Sequence, residues 1–82
     1  MEKEQFSLRL AQLRQAKGVS ARDMSLSLGQ SAGYINNIEN GVRLPSMSMF
    51  FYICDYLGVT PAEFFTPNLP DPLALQALSS QL

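Results

Sequence analysis

Residues 27–41 read SLGQSAGYINNIENG, and this stretch decides the fold of the chain. Gly29 ends one helix-forming segment. Ser31 is expected to cap the next helix, because a serine side chain can accept a hydrogen bond from a free amide at a helix start. Ile35 and Ile38 lie three residues apart, which places both on the inner face of that helix. The stretch therefore predicts two short helices joined by a tight turn.

The opposite face of the second of these helices is polar or small. Its residues are Ala32, Gly33, Asn36, Asn37 and Asn40. Their spacing places all of them on one side of a helix. We therefore predict helices over about residues 21–28 and 32–40. The pattern alone fits a solvated face as well as a binding face.

Further helices are predicted on both sides of this pair, because apolar residues recur there at helical spacing. The first spans about residues 4–17, a fourth follows the cap residue Ser46, and a fifth runs from Thr60 to Phe65. The expected inner residues outside the third helix are Phe6, Leu10, Leu13, Met24, Leu28, Met47, Phe50, Ile53, Cys54 and Leu57. No stretch alternates apolar and polar residues with the period of a strand, so the predicted fold class is all-α.

The chain is expected to form one helical domain over residues 1–65, followed by a linker and tail over residues 66–82. Three prolines fall within residues 66–72, which favours an extended linker. Two outcomes stay open for the tail beyond it. It forms either a short sixth helix with a stripe of Leu75, Leu78 and Leu82, or a disordered end.

Composition limits what so short a chain can do. Its 82 residues suffice for one small domain, and the hydrophobic share of 46% is enough for a core. The chain has no histidine and one cysteine, which excludes a histidine-based triad, a zinc finger and an intramolecular disulfide. Cys54 lies among apolar residues and is expected in the core. We therefore predict no enzymatic activity, no metal and no cofactor.

The charge balance is nearly neutral. Six basic and seven acidic residues give a net charge of −1, but residues 6–65 carry five basic and four acidic side chains. The acidity therefore lies at the ends of the chain. The first residues, MEKEQ, do not resemble a signal peptide, and the longest apolar run, residues 49–54, is too short to cross a bilayer. A cytoplasmic protein with no membrane partner is expected.

The chain resembles a known family in three segments: LRLAQLRQAKGVS (8–20), SLGQSAGYINNIENG (27–41) and LPSMSMFFYICDYLGVTPAEFF (44–65). Their order and spacing are similar to the helix-turn-helix domain of lambda-repressor and Cro-type regulators. The closest likeness is to the xenobiotic-response-element (XRE) branch of bacterial and phage regulators. The resemblance implies a five-helix, lambda-repressor-like DNA-binding domain whose third helix, about residues 32–40, enters the DNA major groove.

The resemblance also implies roles for individual residues. The expected base-reading positions are Ala32, Gly33, Asn36 and Asn37. The expected phosphate contacts are Ser31, Asn40, Arg43 and Arg22. Asparagine suits this role because its amide can match the donor and acceptor of an adenine edge. A structural ion pair is implied between Arg14 and Glu39, where the guanidinium fork can donate two hydrogen bonds to one carboxylate.

This chain departs from the family pattern at three positions. Ala21 stands where members commonly carry a phosphate-binding glutamine. Ala32 can touch only a thymine methyl group, and Gly33 has no side chain with which to read a base. Direct readout would therefore depend on Asn36 and Asn37, and a single chain is expected to bind DNA weakly.

The fourth helix carries a second apolar stripe beside its core face. Met49, Tyr52 and Tyr56 recur at helical spacing beside the core face, where the family usually has polar or small residues. A row of such residues is expected to be covered, by the chain ends or by another chain. The expected dimer contacts are Met49, Tyr52, Tyr56, Leu75, Leu78 and Leu82.

Two functions from different classes are therefore predicted. The first is sequence-specific binding of double-stranded operator DNA by a homodimer that regulates transcription. The alternative is an antitoxin-like or adaptor module on the same fold, which binds another protein and binds DNA weakly or not at all. Asn36, Asn37 and Arg43 favour the first function, whereas the small residues at positions 21, 32 and 33 favour the second.

Overall fold

The computed structural model describes residues 2–66, and this part of the chain contains five α-helices and no strand. The helices are α1 (Lys3–Lys17), α2 (Ala21–Ser27), α3 (Tyr34–Glu39), α4 (Met47–Leu57) and α5 (Pro61–Phe64). The predicted all-α, five-helix architecture is confirmed. The predicted sixth helix, with Leu75, Leu78 and Leu82, lies outside the described residues.

Most helix starts follow from the cap residues. Ser20, Ser46 and Thr60 each accept a hydrogen bond from the amide three residues further on. In α5 the Glu63 side chain also accepts a hydrogen bond from the Thr60 amide, and the bonds to Thr60 lower the pKa of the Glu63 carboxyl. At the end of α4, Gly58 adopts the left-handed conformation (φ 72°) that stops the helix.

The prediction that Ser31 caps α3 is wrong, and so is the predicted start of that helix at residue 32. The helix begins at Tyr34, after a turn in which the Tyr34 amide donates to the backbone oxygen of Ser31 at 3.1 Å. Ser25 of the preceding helix caps α3 instead. The Ser25 hydroxyl accepts the Ile35 amide at 2.9 Å and donates to the Ala21 carbonyl at 2.7 Å.

The core lies between all five helices. Its buried apolar residues are Phe6, Leu10, Met24, Tyr34, Ile35, Ile38, Phe50, Ile53, Cys54 and Phe64. The predicted inner residues Leu13, Leu28 and Leu57 pack against this core but are only partly buried. Met47, also predicted to face inward, is 67% exposed. Met47 is the first residue of α4. The first buried residue of this helix is Phe50, whose ring lies next to the rings of Phe6, Phe64 and Phe65.

Helix α3 is held by polar contacts near both of its ends. Besides the Ser25 contact at its first turn, the buried Ser7 hydroxyl of α1 donates to the Ile38 carbonyl at 2.7 Å. Both bonds engage backbone groups that a helix of six residues leaves without an internal partner. These contacts fix the position of α3 against α1 and α2.

The third anchor of α3 is an ion pair between Arg14 and Glu39. The Arg14 Nε and Nη2 atoms donate to the two Glu39 carboxylate oxygens at 2.7 and 2.9 Å. The Nη1 atom donates to the Val19 carbonyl at 2.8 Å, so one guanidinium joins α1, α3 and the turn before α2. The two side chains are 15% and 11% exposed. The hydrogen bonds to Glu39 raise the pKa of Arg14.

We predict that Arg14→Ala lowers the free energy of unfolding by about 3–5 kcal/mol, because the Glu39 carboxylate stays largely buried without its partner. Arg22→Ala is the matched control, since Arg22 is exposed and forms no ion pair with residues 2–66. Urea denaturation of the two variants measures the difference. Equal and small losses in both would contradict the structural importance of the ion pair.

Candidate nucleic-acid interface

The exposed side of α3 carries two free carboxamides. Asn36 and Asn37 are both exposed, and neither side chain forms a hydrogen bond within residues 2–66. The other side of the helix is buried in the core through the side chains of Tyr34, Ile35 and Ile38. The helix therefore presents two adjacent groups that can each donate and accept a hydrogen bond.

The other two expected base-reading positions do not lie on the helix. Ala32 is half-buried and Gly33 is exposed, and both belong to the turn that precedes α3. Since α3 begins at Tyr34, the polar side chains on its exposed surface start at Asn36. The structure thus brings Asn36 and Asn37 together and leaves Ala32 and Gly33 beside them as small residues at the helix entrance.

The four expected phosphate contacts are exposed and surround the α2–α3 unit. Arg22 lies in the first turn of α2, Ser31 in the turn between the helices, Asn40 directly after α3, and Arg43 in the following loop. The Arg43 guanidinium carbon lies 5.0 Å from the centroid of the Tyr34 ring, in a cation–π contact. The α2–α3 unit and the loop after it therefore carry two exposed arginines, one on α2 and one that contacts α3.

Two other cations of α1, Arg9 and Lys17, bond to distant parts of the fold. Arg9 donates to the carbonyls of Glu63 and Phe64 at 2.9 Å each, at the end of α5. Lys17 donates to the Tyr56 carbonyl at 2.7 Å, near the end of α4, and its Nζ lies 4.7 Å from the Tyr56 ring centroid. Cations at these positions satisfy free carbonyls of the last helical turn. Sequence reasoning missed both roles, since each contact joins residues far apart in the chain.

The expected second apolar stripe lines a groove beside α2. Met49, Tyr52 and Tyr56 of α4 face Ser27, Leu28 and Gln30, and the groove between them has a volume of about 460 Å³. Tyr52 is 61% exposed, and Leu26 on α2 is 51% exposed. The three expected α4 dimer residues therefore share one open face.

Other kinds of site find little support in this part of the chain. Cys54 is buried, and burial, followed by the charge of Asp55, raises the pKa of its thiol, which disfavours the reactive thiolate. Residues 2–66 contain no group of three or more acidic, cysteine or histidine side chains placed to hold a metal ion. No helix in the same range combines the length and apolarity needed to cross a bilayer.

Comparison with known proteins gives consistent matches. The family model described as helix-turn-helix matches residues 10–64. The uncharacterized HTH-type transcriptional regulator y4dJ of Sinorhizobium fredii is 31% identical over 62 residues, which cover 76% of this chain and 80% of that protein. The uncharacterized HTH-type transcriptional regulator YazB of Bacillus subtilis is 31% identical over 68 residues, which cover 83% of this chain and 99% of that protein.

A solved structure agrees with these relatives. The crystal structure of the clp gene regulator ClgR from Corynebacterium glutamicum matches with a TM-score of 0.73 and 26% sequence identity, over 96% of this chain and 83% of that chain. The matched family span begins in α1 and ends at the last residue of α5, so it includes the α2–α3 unit and three of the residues that anchor α3, namely Arg14, Ser25 and Glu39. The chain therefore belongs to the XRE-type helix-turn-helix family of DNA-binding transcriptional regulators.

Proposed function

We propose that this protein binds specific operator sequences as a homodimer, with α3 of each chain in the major groove. The observation that carries the proposal is the pair of exposed carboxamides of Asn36 and Asn37, which have no hydrogen-bond partner within residues 2–66, on a helix whose inner side is buried. In the helix-turn-helix geometry, the second helix of the motif meets the base edges. Here that helix is α3.

The anchoring of α3 supports a recognition role. Ser25 holds its first turn, Ser7 holds its last turn, and Arg14 holds the Glu39 carboxylate at its end. These three contacts tie both ends of the helix to α1 and α2. A side chain that must meet a base edge within hydrogen-bond distance gains from such a rigid support.

The chemistry of the exposed face favours limited base readout. An asparagine can bind the N6 and N7 atoms of adenine through two hydrogen bonds, and two asparagines can read few base pairs directly. The small residues Ala32 and Gly33 allow a close approach of the helix entrance to the DNA. Further specificity would then come from phosphate contacts that fix the register and from the shape of the site.

The charge distribution favours two chains on one operator. Of the four arginines, Arg22 and Arg43 are exposed, whereas Arg9 and Arg14 bind groups of the protein itself. Few phosphate contacts give a modest affinity and a shallow salt dependence for one chain. A homodimer doubles both the base and the phosphate contacts, and it places two recognition helices on half-sites about one DNA turn apart.

The groove along α4 supports a protein partner. An exposed tyrosine beside partly buried Met49 and Tyr56 provides the amphipathic surface that interfaces favour. We assign this face to the second copy of the chain. The antitoxin-like or adaptor alternative places a different protein in the same groove, and it is favoured by the scarcity of base-reading side chains.

We predict that Asn36→Ala weakens binding to a preferred DNA site by about 1–3 kcal/mol, while binding to unrelated DNA stays nearly unchanged. The preferred site comes from selection out of random-sequence DNA, and mobility-shift titration measures both affinities. Gln12→Ala, which removes an exposed carboxamide from α1, is the control and should change neither affinity. Unaltered affinity of Asn36→Ala for the selected site would refute a base contact at this position.

Arg43→Ala is predicted to act differently, because a phosphate contact carries no sequence information. It should weaken binding to all sequences alike and reduce the slope of log K against log salt by about 0.9 per chain. Titrations at several salt concentrations provide that slope. Arg43→Lys keeps the charge and should preserve the slope, and a slope that is the same in all three proteins would argue against a phosphate contact.

The homodimer is tested by sedimentation equilibrium. The wild-type chain should sediment as two chains at micromolar concentration, whereas Tyr52→Glu should give folded monomers, because it places a charge in the apolar groove. Met47→Glu adds the same charge at an exposed residue outside the groove and should leave the dimer intact. A wild-type chain that stays monomeric at millimolar concentration would rule out the homodimer and favour the adaptor alternative.

A further inference from the structure

Tyr34 has an environment that packing alone does not explain. It is the first residue of α3 and is 3% exposed, with its ring in the core. Its hydroxyl is buried and has no hydrogen-bond partner within residues 2–66. Burial raises the pKa of the phenol, which keeps the side chain neutral. Within residues 2–66, Tyr34 therefore contacts a polar group through its ring and not through its hydroxyl.

That neighbour is Arg43, which the chain brings back along α3. After the helix, Gly41 adopts a left-handed conformation (φ 75°), and its amide donates to the Ile38 carbonyl at 3.0 Å. The next amide, of Val42, donates to the Asn37 carbonyl at 2.9 Å. These bonds reverse the chain, and the Arg43 guanidinium reaches the ring of Tyr34 in the first turn of the helix.

The contact places the charge of Arg43 against the first turn of α3. Tyr34 and Asn37 are three residues apart and are therefore neighbours on the helix surface. A cation–π contact leaves N–H donors of the guanidinium free, because they point outward in the plane of the group. Arg43 can consequently rest on Tyr34 and still donate hydrogen bonds to an anion.

We propose that Tyr34 is a positioning residue, which holds the Arg43 guanidinium beside Asn37 so that it is ordered for a DNA phosphate before the DNA binds. This inference rests on the proposed function. A free arginine side chain loses rotamer freedom when it is fixed on a phosphate. A cation–π contact that is already formed reduces that loss. The expected gain in DNA affinity is about 2- to 5-fold per chain, the range of an exposed cation–π contact.

A double-mutant cycle tests the role of the ring. Tyr34→Leu, in the otherwise unchanged protein, should weaken DNA binding about 2- to 5-fold and leave the salt slope in place, since the charge remains. In the Arg43→Ala background the same change should have no further effect, because no guanidinium remains to be positioned. Tyr34→Phe keeps the ring and should retain wild-type affinity. Circular dichroism verifies that each variant is folded under the conditions of the titration.

The free protein provides a second measurement, which does not depend on DNA. In NMR spectra, the side-chain protons of Arg43 should be shifted upfield by the ring current of Tyr34. The shift should persist in Tyr34→Phe and disappear in Tyr34→Leu. The upfield shift in the wild-type spectrum therefore tests the cation–π contact between Arg43 and Tyr34 even if Tyr34→Leu fails to fold.

The results separate failure of this inference from failure of the proposed function. If the wild-type protein binds no DNA at low salt, the proposed function fails, and the role of Tyr34 fails with it. If the wild-type protein binds DNA but Tyr34→Leu weakens binding equally with and without Arg43, only the positioning role is overturned. Absence of the upfield shift, or a loss of affinity in Tyr34→Phe as large as in Tyr34→Leu, overturns it as well.

Discussion

The ion pair between Arg14 and Glu39 is the contact on which the rest of the structure depends. One guanidinium binds both oxygens of a carboxylate at the end of α3 and a backbone carbonyl before α2. Its strength comes from its surroundings, because a largely buried pair with two parallel hydrogen bonds is screened little by solvent. Without this pair, the contacts within residues 2–66 that hold α3 against α1 and α2 would be the apolar core and two serine hydrogen bonds.

Local sequence signals were sufficient to predict most of the helices and several of their caps. Ser20, Ser46 and Thr60 act within one helical turn of their own position, so the chain near them contains the necessary information. Ser31 looked equivalent by the same rule. The cap of α3 comes instead from Ser25, ten residues before the amide that it binds, and no local pattern identifies such a contact.

In the candidate site, too, local sequence predicts some features but not the contacts between distant residues. The two exposed asparagines follow from helical periodicity combined with the family resemblance, whereas the placement of Arg43 on the Tyr34 ring depends on the chain reversal after α3. The contacts of Arg9 with the end of α5 span more than fifty residues of sequence, which periodicity cannot predict. The spacing of the stripe predicts Met47 in the core, but this first residue of α4 is exposed and lies outside the aromatic cluster around Phe50.

The way in which α3 is anchored separates its two faces as targets of evolutionary change. Ser25 binds the backbone amide of Ile35, and Ser7 binds the backbone carbonyl of Ile38, so neither contact depends on the side chains at positions 36 and 37. The side chains at those two positions are exposed and form no hydrogen bond within residues 2–66. Substitutions there can therefore accumulate at little cost in stability. Under the proposed function, a lineage of such proteins can change its target sequence through two codons while the scaffold remains unchanged.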